Sequence, residues 1–322
     1  MTFFDICCIV SICLIIKLFD NQIFVTEKQI FGDIIPELEI IVIRIIIDSA
    51  CDMPKEQADA FNLDFLPLKT IFGDEEFLDG ITITHDEFYS KLESSKVNPS
   101  TSQVSPAEYE DIYEDVKKKG DTAIVITLSS KLSGTFQSAN IARAGYEACV
   151  TIVDSENVTL GEQLLVLYAC QLRDKGLSVE EIVAALEQKK KDIRVVAVLD
   201  TLEYLQRGGR ISKTVAVAGN LLSIKPVVAI TDGEVVLAGK ARGLKNAGSQ
   251  LTQLIKENGG ADFSMPCAYV YSGLTDDLLQ KYISDHADVF EGHAKDIPVY
   301  SIGSTIGTHA GPGAFGFTFF AK

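Results

Sequence analysis

From Ile43 onward the apolar and polar positions fall into a regular order of strand, turn and helix. The run 43–47 is continuously apolar; Asp48-Ser49 turns the chain, and Asp52 opens a helix carrying Pro54 in its first turn. Residues 65–72 read as a second extended run. Thr84 and Glu87 then have the spacing of a capping box, which predicts a helix through Leu92. Ser105 and Glu108 repeat the device. The helix they open puts Tyr109, Ile112, Tyr113 and Val116 on one face, and Gly120 ends it before a buried strand over 122–128. A helix from about Gly134, a strand over 150–154 and a helix over about 160–173 follow. Strands that alternate with helices predict a parallel sheet covered on both faces, so residues 43–176 read as an α/β domain.

After Gly176 the rhythm changes. A helix over 179–190 and a strand over 195–199 precede two apolar runs, 227–230 and 235–237, that flank Asp232-Gly233 in the manner of a hairpin. Further strands are expected at 268–271 and 299–302, bracketing a helix over 276–286, and 303–320 reads as a tail rich in Gly and Phe. Hairpins imply antiparallel pairing, so 177–322 reads as an α+β domain with a mixed or antiparallel sheet. Residues 1–42 stand apart. The apolar run 6–16 is about half of the roughly 20 residues a membrane helix needs, lacks the flanks of a signal peptide, and leads into an Ile- and Phe-rich stretch without clear period. The segment reads as an extension outside the fold, with a short membrane-surface anchor as the other reading.

Composition narrows the function classes. Lys and Arg number 29 against 45 Asp and Glu, a formal charge of -16, so nucleic acid and anionic membrane surfaces would be repelled over most of the molecule. The seven cysteines include no C-x-x-C pair and mostly sit in apolar runs, the usage of reduced thiols in a cytoplasm.

Several stretches carry candidate chemistry. Residues 98–103 (Asn98, Pro99, Ser100, Thr101, Ser102, Gln103) are either a polar turn between helices or a hydroxyl-rich ligand loop. Residues 128–135 follow a buried parallel strand and open a helix, the edge where open α/β sheets hold anionic ligands; here Ser133 is either an N-cap or a ligand donor. Asp48-Ser49 and Asp154-Ser155 end two other strands of the same sheet, so these hydroxyls can converge on one crevice. Arg207 and Arg210 flank a Gly pair on an otherwise acidic chain, which reads either as an ordinary loop or as a basic docking patch. His309 lies among glycines in a literal G-x-G-x-x-G (Gly311, Gly313, Gly316). That motif is too near the C-terminus for a dinucleotide site, because no helix and no later acidic residue can follow it. His309 itself reads as a structural or a ligand-facing histidine.

Taken together, Asp48 to Asp52, Pro99 to Gln103, Ser129 to Thr135, Leu205 to Ile211, Lys225-Pro226 before the Asp232-Gly233 hairpin, and His309 to Gly313 make the chain resemble the DegV family over residues 43–322. That resemblance implies a bacterial, cytoplasmic, two-domain fatty-acid-binding carrier. It would bury a long acyl chain between its domains and present the carboxyl group to a separate ATP-dependent fatty acid kinase subunit. Thr101, Ser133 and His309 would hold the carboxyl group, with Ser49, Ser102, Gln103 and Gly134 in support, and Arg207 and Arg210 would face the kinase. No catalytic residue, cofactor or metal is expected. Family chains begin near the first strand, which sets residues 1–42 apart from the working protein. Burial of about 16 carbons at roughly 0.8 kcal/mol per CH₂ amounts to ~12 kcal/mol before association costs, and neutral donors would orient the carboxyl without burying a cation. The competing readings are an esterase or acyltransferase with Ser133 as nucleophile and His309 as base, and a lipid-sensing regulator. The first lacks a nucleophile-elbow motif; the second shares every residue with the carrier.

Overall fold

Ile45, Ile46 and Ile47 have no solvent exposure, which only a strand covered on both faces allows. The computed structural model describes residues 42–211 and 223–322; the expectation for 1–42 therefore lies, Val42 apart, outside the described residues. Strand β1 (Ile43–Asp48) pairs in parallel with β2 (Leu63–Leu66) on one side and β6 (Thr122–Thr127) on the other, and β7 (Val150–Asp154) joins beyond β6. The sheet order β2-β1-β6-β7 is the predicted parallel sheet.

Two local expectations are corrected here. The extended run 65–72 is broken at Pro67, which has no N–H for a sheet ladder, and the chain beyond it leaves the parallel sheet. Strand β3 (Lys69–Phe72) instead pairs antiparallel with β4 (Glu75–Leu78) and with β5 (Ser100–Ser102). Asp52 does not open a helix either. It sits in the left-handed region, φ 53°, after a short 3₁₀ turn, and α1 (Lys55–Ala60) begins only after Pro54. Its carboxylate is engaged elsewhere: Oδ1 accepts from Gly303 N and Oδ2 from the Thr159 hydroxyl.

Helices α2 (His85–Ser94) and α3 (Pro106–Lys118) start at the expected capping boxes, with Thr84 and Ser105 accepting from the third helical N–H and Glu87 and Glu108 bonding back. α4 (Thr135–Ala142) follows β6, and α5 (Leu160–Asp174) follows β7. α5 is buried over most of its length. Leu164, Leu165, Val166 and Ala169 pack with Ile45, Ile47 and Ile126 of the parallel sheet and with Ile193, Val195 and Phe320 of a second sheet.

That second sheet has six strands: β8 (Ile193–Val198), β9 (Ile224–Thr231), β10 (Glu234–Arg242), β11 (Ala268–Tyr271), β12 (Val299–Ser301) and β13 (Phe315–Phe320), in the order β10-β9-β8-β13-β11-β12. Only β11 and β12 pair in parallel, so the expectation of a mixed sheet holds. α6 (Val179–Lys189) leads into it, α7 (Glu203–Gly208) follows β8, and α8 (Leu244–Glu257) and α9 (Asp277–Asp285) complete the set before β12.

The Gly- and Phe-rich tail is the largest departure from the sequence reading. It holds a helix, α10 (Ser304–Ala310), and the interior strand β13, all six residues of which are buried. Phe315, Phe317 and Phe319 alternate toward one apolar cluster, a period-two pattern overshadowed by the glycines around it. Gly311 and Gly313 turn helix into strand, the reverse of the strand-to-helix order a dinucleotide site uses. No helix among the described residues is long and apolar enough to cross a membrane. Of the described cysteines, Cys51 and Cys170 are buried, Cys149 and Cys267 half-buried, and all four are free thiols.

Candidate functional site

At the carboxyl end of β6 the chain must turn, and Asp48 at the end of β1 fixes how. Its two oxygens accept from Ala50 N (3.0 Å) and Leu128 N (2.9 Å), tying the ends of neighbouring strands together. Beyond Leu128, Ser129 donates to Gly233 O of the β9–β10 hairpin at 2.7 Å, which links this edge to the six-stranded sheet. Gly134, not Ser133, is the N-cap of α4; the Ser133 hydroxyl accepts from Thr135 N at 3.2 Å and lies 3.0 Å from Thr135 Oγ1. The 98–103 stretch is not a turn. Ser100–Ser102 is strand β5, with Thr101 opposite Thr70 of β3, so the Thr101 backbone is held on a ladder.

Between this edge, helix α10 and one face of the six-stranded sheet lies a cavity of about 380 Å³, within the range of small-molecule sites. Much of its wall is apolar, with Val195, Ala197, Val228, Ile230 and Val270 supplied by the second sheet and Leu199 by the residue after β8. Its polar wall includes Thr101, Ser102, Gln103, Ser133, Gly134, Arg210 and His309. Three of these, Thr101, Ser133 and His309, are the ligand donors expected from the sequence. Thr101 Oγ1 lies 2.9 Å from His309 Nε2, across 208 positions of sequence. His309 Nδ1 is buried without a hydrogen-bond partner among the described residues and faces Gly208 of α7. Burial, with the Arg210 charge second, lowers the His309 pKa to about 4, so the ring is neutral at neutral pH.

The supporting positions divide. Ser102, Gln103 and Gly134 line the cavity; Gln103 Nε2 donates to Ser138 Oγ at 2.7 Å, and a Cβ at Gly134 would overlap the Gln103 side chain. Ser49 is a correction. It is buried away from the cavity, donating to Asp79 Oδ2 at 3.0 Å and accepting from Leu68 N at 2.9 Å, because the turn after β1 curls into the protein.

The two arginines part as well. Arg207 is exposed on α7, donating to Asn98 Oδ1 and Glu203 Oε1 at 2.6 Å each, its guanidinium over the Tyr204 ring. Arg210 differs from the docking role expected of it: it lines the cavity, with Nε donating to Leu132 O at 3.1 Å. The sequence reading, which assigned the carboxyl only neutral donors, missed this cation. Gly209, in the left-handed region at φ 72°, ends α7 between the two arginines.

The pieces of a Ser/His hydrolase are not assembled. Ser133 bonds Thr135 and His309 bonds Thr101, while no carboxylate among the described residues meets His309 Nδ1.

The family described as "Uncharacterised protein, DegV family" matches residues 42–322, and the chain belongs to the DegV family. It is 35% identical over 283 residues to a DegV domain-containing protein of Caldanaerobacter subterraneus subsp. tengcongensis, covering 87% of this chain and 99% of that one. Among solved structures, it is similar to a DegV family protein from Thermus thermophilus described by its fatty acid binding (TM-score 0.78, 30% identity, 88% of this chain and 100% of that one). It is likewise similar to DegV of Bacillus subtilis, described as a fatty acid binding protein (TM-score 0.75, 31% identity, 88% and 100%).

Proposed function

We propose that this protein binds a long-chain fatty acid, with the acyl chain in the apolar cavity and the carboxyl group at Thr101, Ser133, His309 and Arg210. The observation that carries the reading is the meeting of Thr101 and His309 at 2.9 Å on the wall of a cavity otherwise rich in aliphatic side chains. The fatty acid binding of the Thermus and Bacillus relatives supports it.

Proton placement gives the pair a direction. With the imidazole neutral and its proton on Nε2, His309 donates to Thr101 Oγ1, and the Thr101 hydroxyl proton is left to donate to a carboxylate. The other tautomer would turn the Thr101 proton toward the ring and leave the ligand without it. Arg210 adds a charge-assisted donor beside this point. The apolar chain supplies affinity through burial, and the donors fix which end enters.

On the same reading the protein is a non-catalytic carrier in the cytoplasm, acting with a separate ATP-dependent kinase that phosphorylates the carboxyl group. Arg207, exposed near the cavity residues of α7 and β5, is its docking residue. On this reading residues 43–176 and 177–322 are two domains that share the cavity wall. Native mass spectrometry of the purified protein, followed by organic extraction, tests the ligand. A co-purified or stoichiometrically loaded fatty acid is expected; a protein that retains and accepts none overturns the reading.

A further inference from the structure

Thr305 sits in the first turn of α10, is 2% exposed, and lines the same cavity as His309. Its hydroxyl is buried and has no hydrogen-bond partner among the described residues. Thr308 bonds its hydroxyl to Ser304 O, four residues back, at 2.8 Å; Thr305, at the second position of the helix, has Ser301 of β12 four residues back and no helical carbonyl to use. Three other cavity hydroxyls are engaged: Thr101 with His309, Ser133 with Thr135, and Thr159 donating to Asp52. Ile302, just after β12, and Ile306 and Ala310 of α10 give the cavity an apolar wall beside Thr305, with His309 one turn further along the same helix.

Position gives the hydroxyl a use. Thr305 and His309 are four residues apart on α10 and so share a face, separated by about 6 Å of helical rise. His309 is half-buried and Thr305 fully buried. A chain entering with its carboxyl at His309 passes Thr305 after about five bonds, at an extended-chain advance of about 1.2 Å per bond.

We propose that Thr305 recognises a second oxygen on the ligand, a hydroxyl or keto group carried within about the first six carbons after the carboxyl. The cavity then prefers an oxygenated acyl chain over a plain one. This inference rests on the fatty-acid reading above and specifies its substrate class.

The test compares hexadecanoate with its 3-, 4-, 5- and 6-hydroxy derivatives, each titrated against the full chain by calorimetry. The wild type, Thr305→Val and Thr305→Ser are measured, valine keeping the shape and serine restoring the hydroxyl. The expected result is that at least one hydroxylated acid binds the wild type more tightly than hexadecanoate by up to about tenfold, the worth of one neutral hydrogen bond. That preference should vanish in Thr305→Val and return in Thr305→Ser. Hydroxylated-to-plain ratios that are equal in the wild type and Thr305→Val, or below one at every position in the wild type, overturn the inference while leaving the fatty-acid reading intact. A wild type that binds neither hexadecanoate nor its derivatives overturns both.

Discussion

Gly208 stands directly against His309: a Cβ built at position 208 would overlap the imidazole Nδ1. Helix α7 thereby sets the back wall for a ring whose other nitrogen bonds Thr101. Gly208 has no left-handed backbone to explain it, and an alanine would suit the helix better by about 1 kcal/mol. The glycine is therefore there for space. Gly208→Ala should push the ring off Thr101 and weaken fatty-acid binding by roughly tenfold or more, while the melting temperature changes little. In a His309→Ala background the same substitution should cost almost nothing more. Additive losses across the two positions, measured by titration calorimetry, would contradict the contact.

Thr101→Val removes the hydroxyl that stands between His309 and the cavity while keeping a β-branched residue suited to strand β5. If its proton reaches a carboxylate, the loss should be about 1.5–3 kcal/mol, or roughly ten- to a hundredfold in Kd. Thr101→Ser should retain most of the affinity. Equal affinities for the valine and wild-type proteins would remove Thr101 from the carboxyl site.

Local rules made much of the fold legible. The capping boxes at Thr84 and Ser105 need only four consecutive residues, and the apolar run before Asp48 needs only its own composition. What escaped depends on distant partners. β5 is three polar residues that become a strand only because β3 lies alongside. β13 reads as a tail until its flanking strands, β8 and β11, are in view. The candidate site was legible as residue types: Thr101, Ser133 and His309 do line one cavity. Arg210 was not, since whether an arginine faces solvent or a cavity is decided by the turn at Gly209 and by the Leu132 carbonyl, 78 positions away.

The two arginines should separate in experiment as they do in space. Arg210→Met should weaken binding of a fatty acid but not of the matching fatty alcohol, since only the acid presents a charge to it. Arg207→Met should leave both affinities within about twofold, because its guanidinium is held by Glu203 and Asn98 on the surface. If the alcohol suffers as much as the acid in Arg210→Met, the residue serves packing and not charge recognition.

Glu162 in the first turn of α5 gives the last test, on stability. The side chain has no exposure and neither carboxyl oxygen has a hydrogen-bond partner among the described residues. Burial first, then the charges of Asp48, Asp52 and Asp154, raises its pKa well above the ordinary 4.5, so the folded protein holds it protonated where the unfolded chain would ionise. A group with a raised folded pKa contributes stability that is complete below the unfolded value and is lost as pH rises toward the folded one. Glu162→Gln has no proton to lose. The wild-type melting temperature should therefore fall, relative to Glu162→Gln, as pH rises from about 5 to about 8, even though His309, with its lowered pKa, pushes both proteins the opposite way at the acid end. Because His309 and Asp48 are common to both proteins, the difference between the two curves isolates the one carboxyl group. Parallel curves across that window would mean that Glu162 is ionised in the folded state, and that its two oxygens are solvated within the protein.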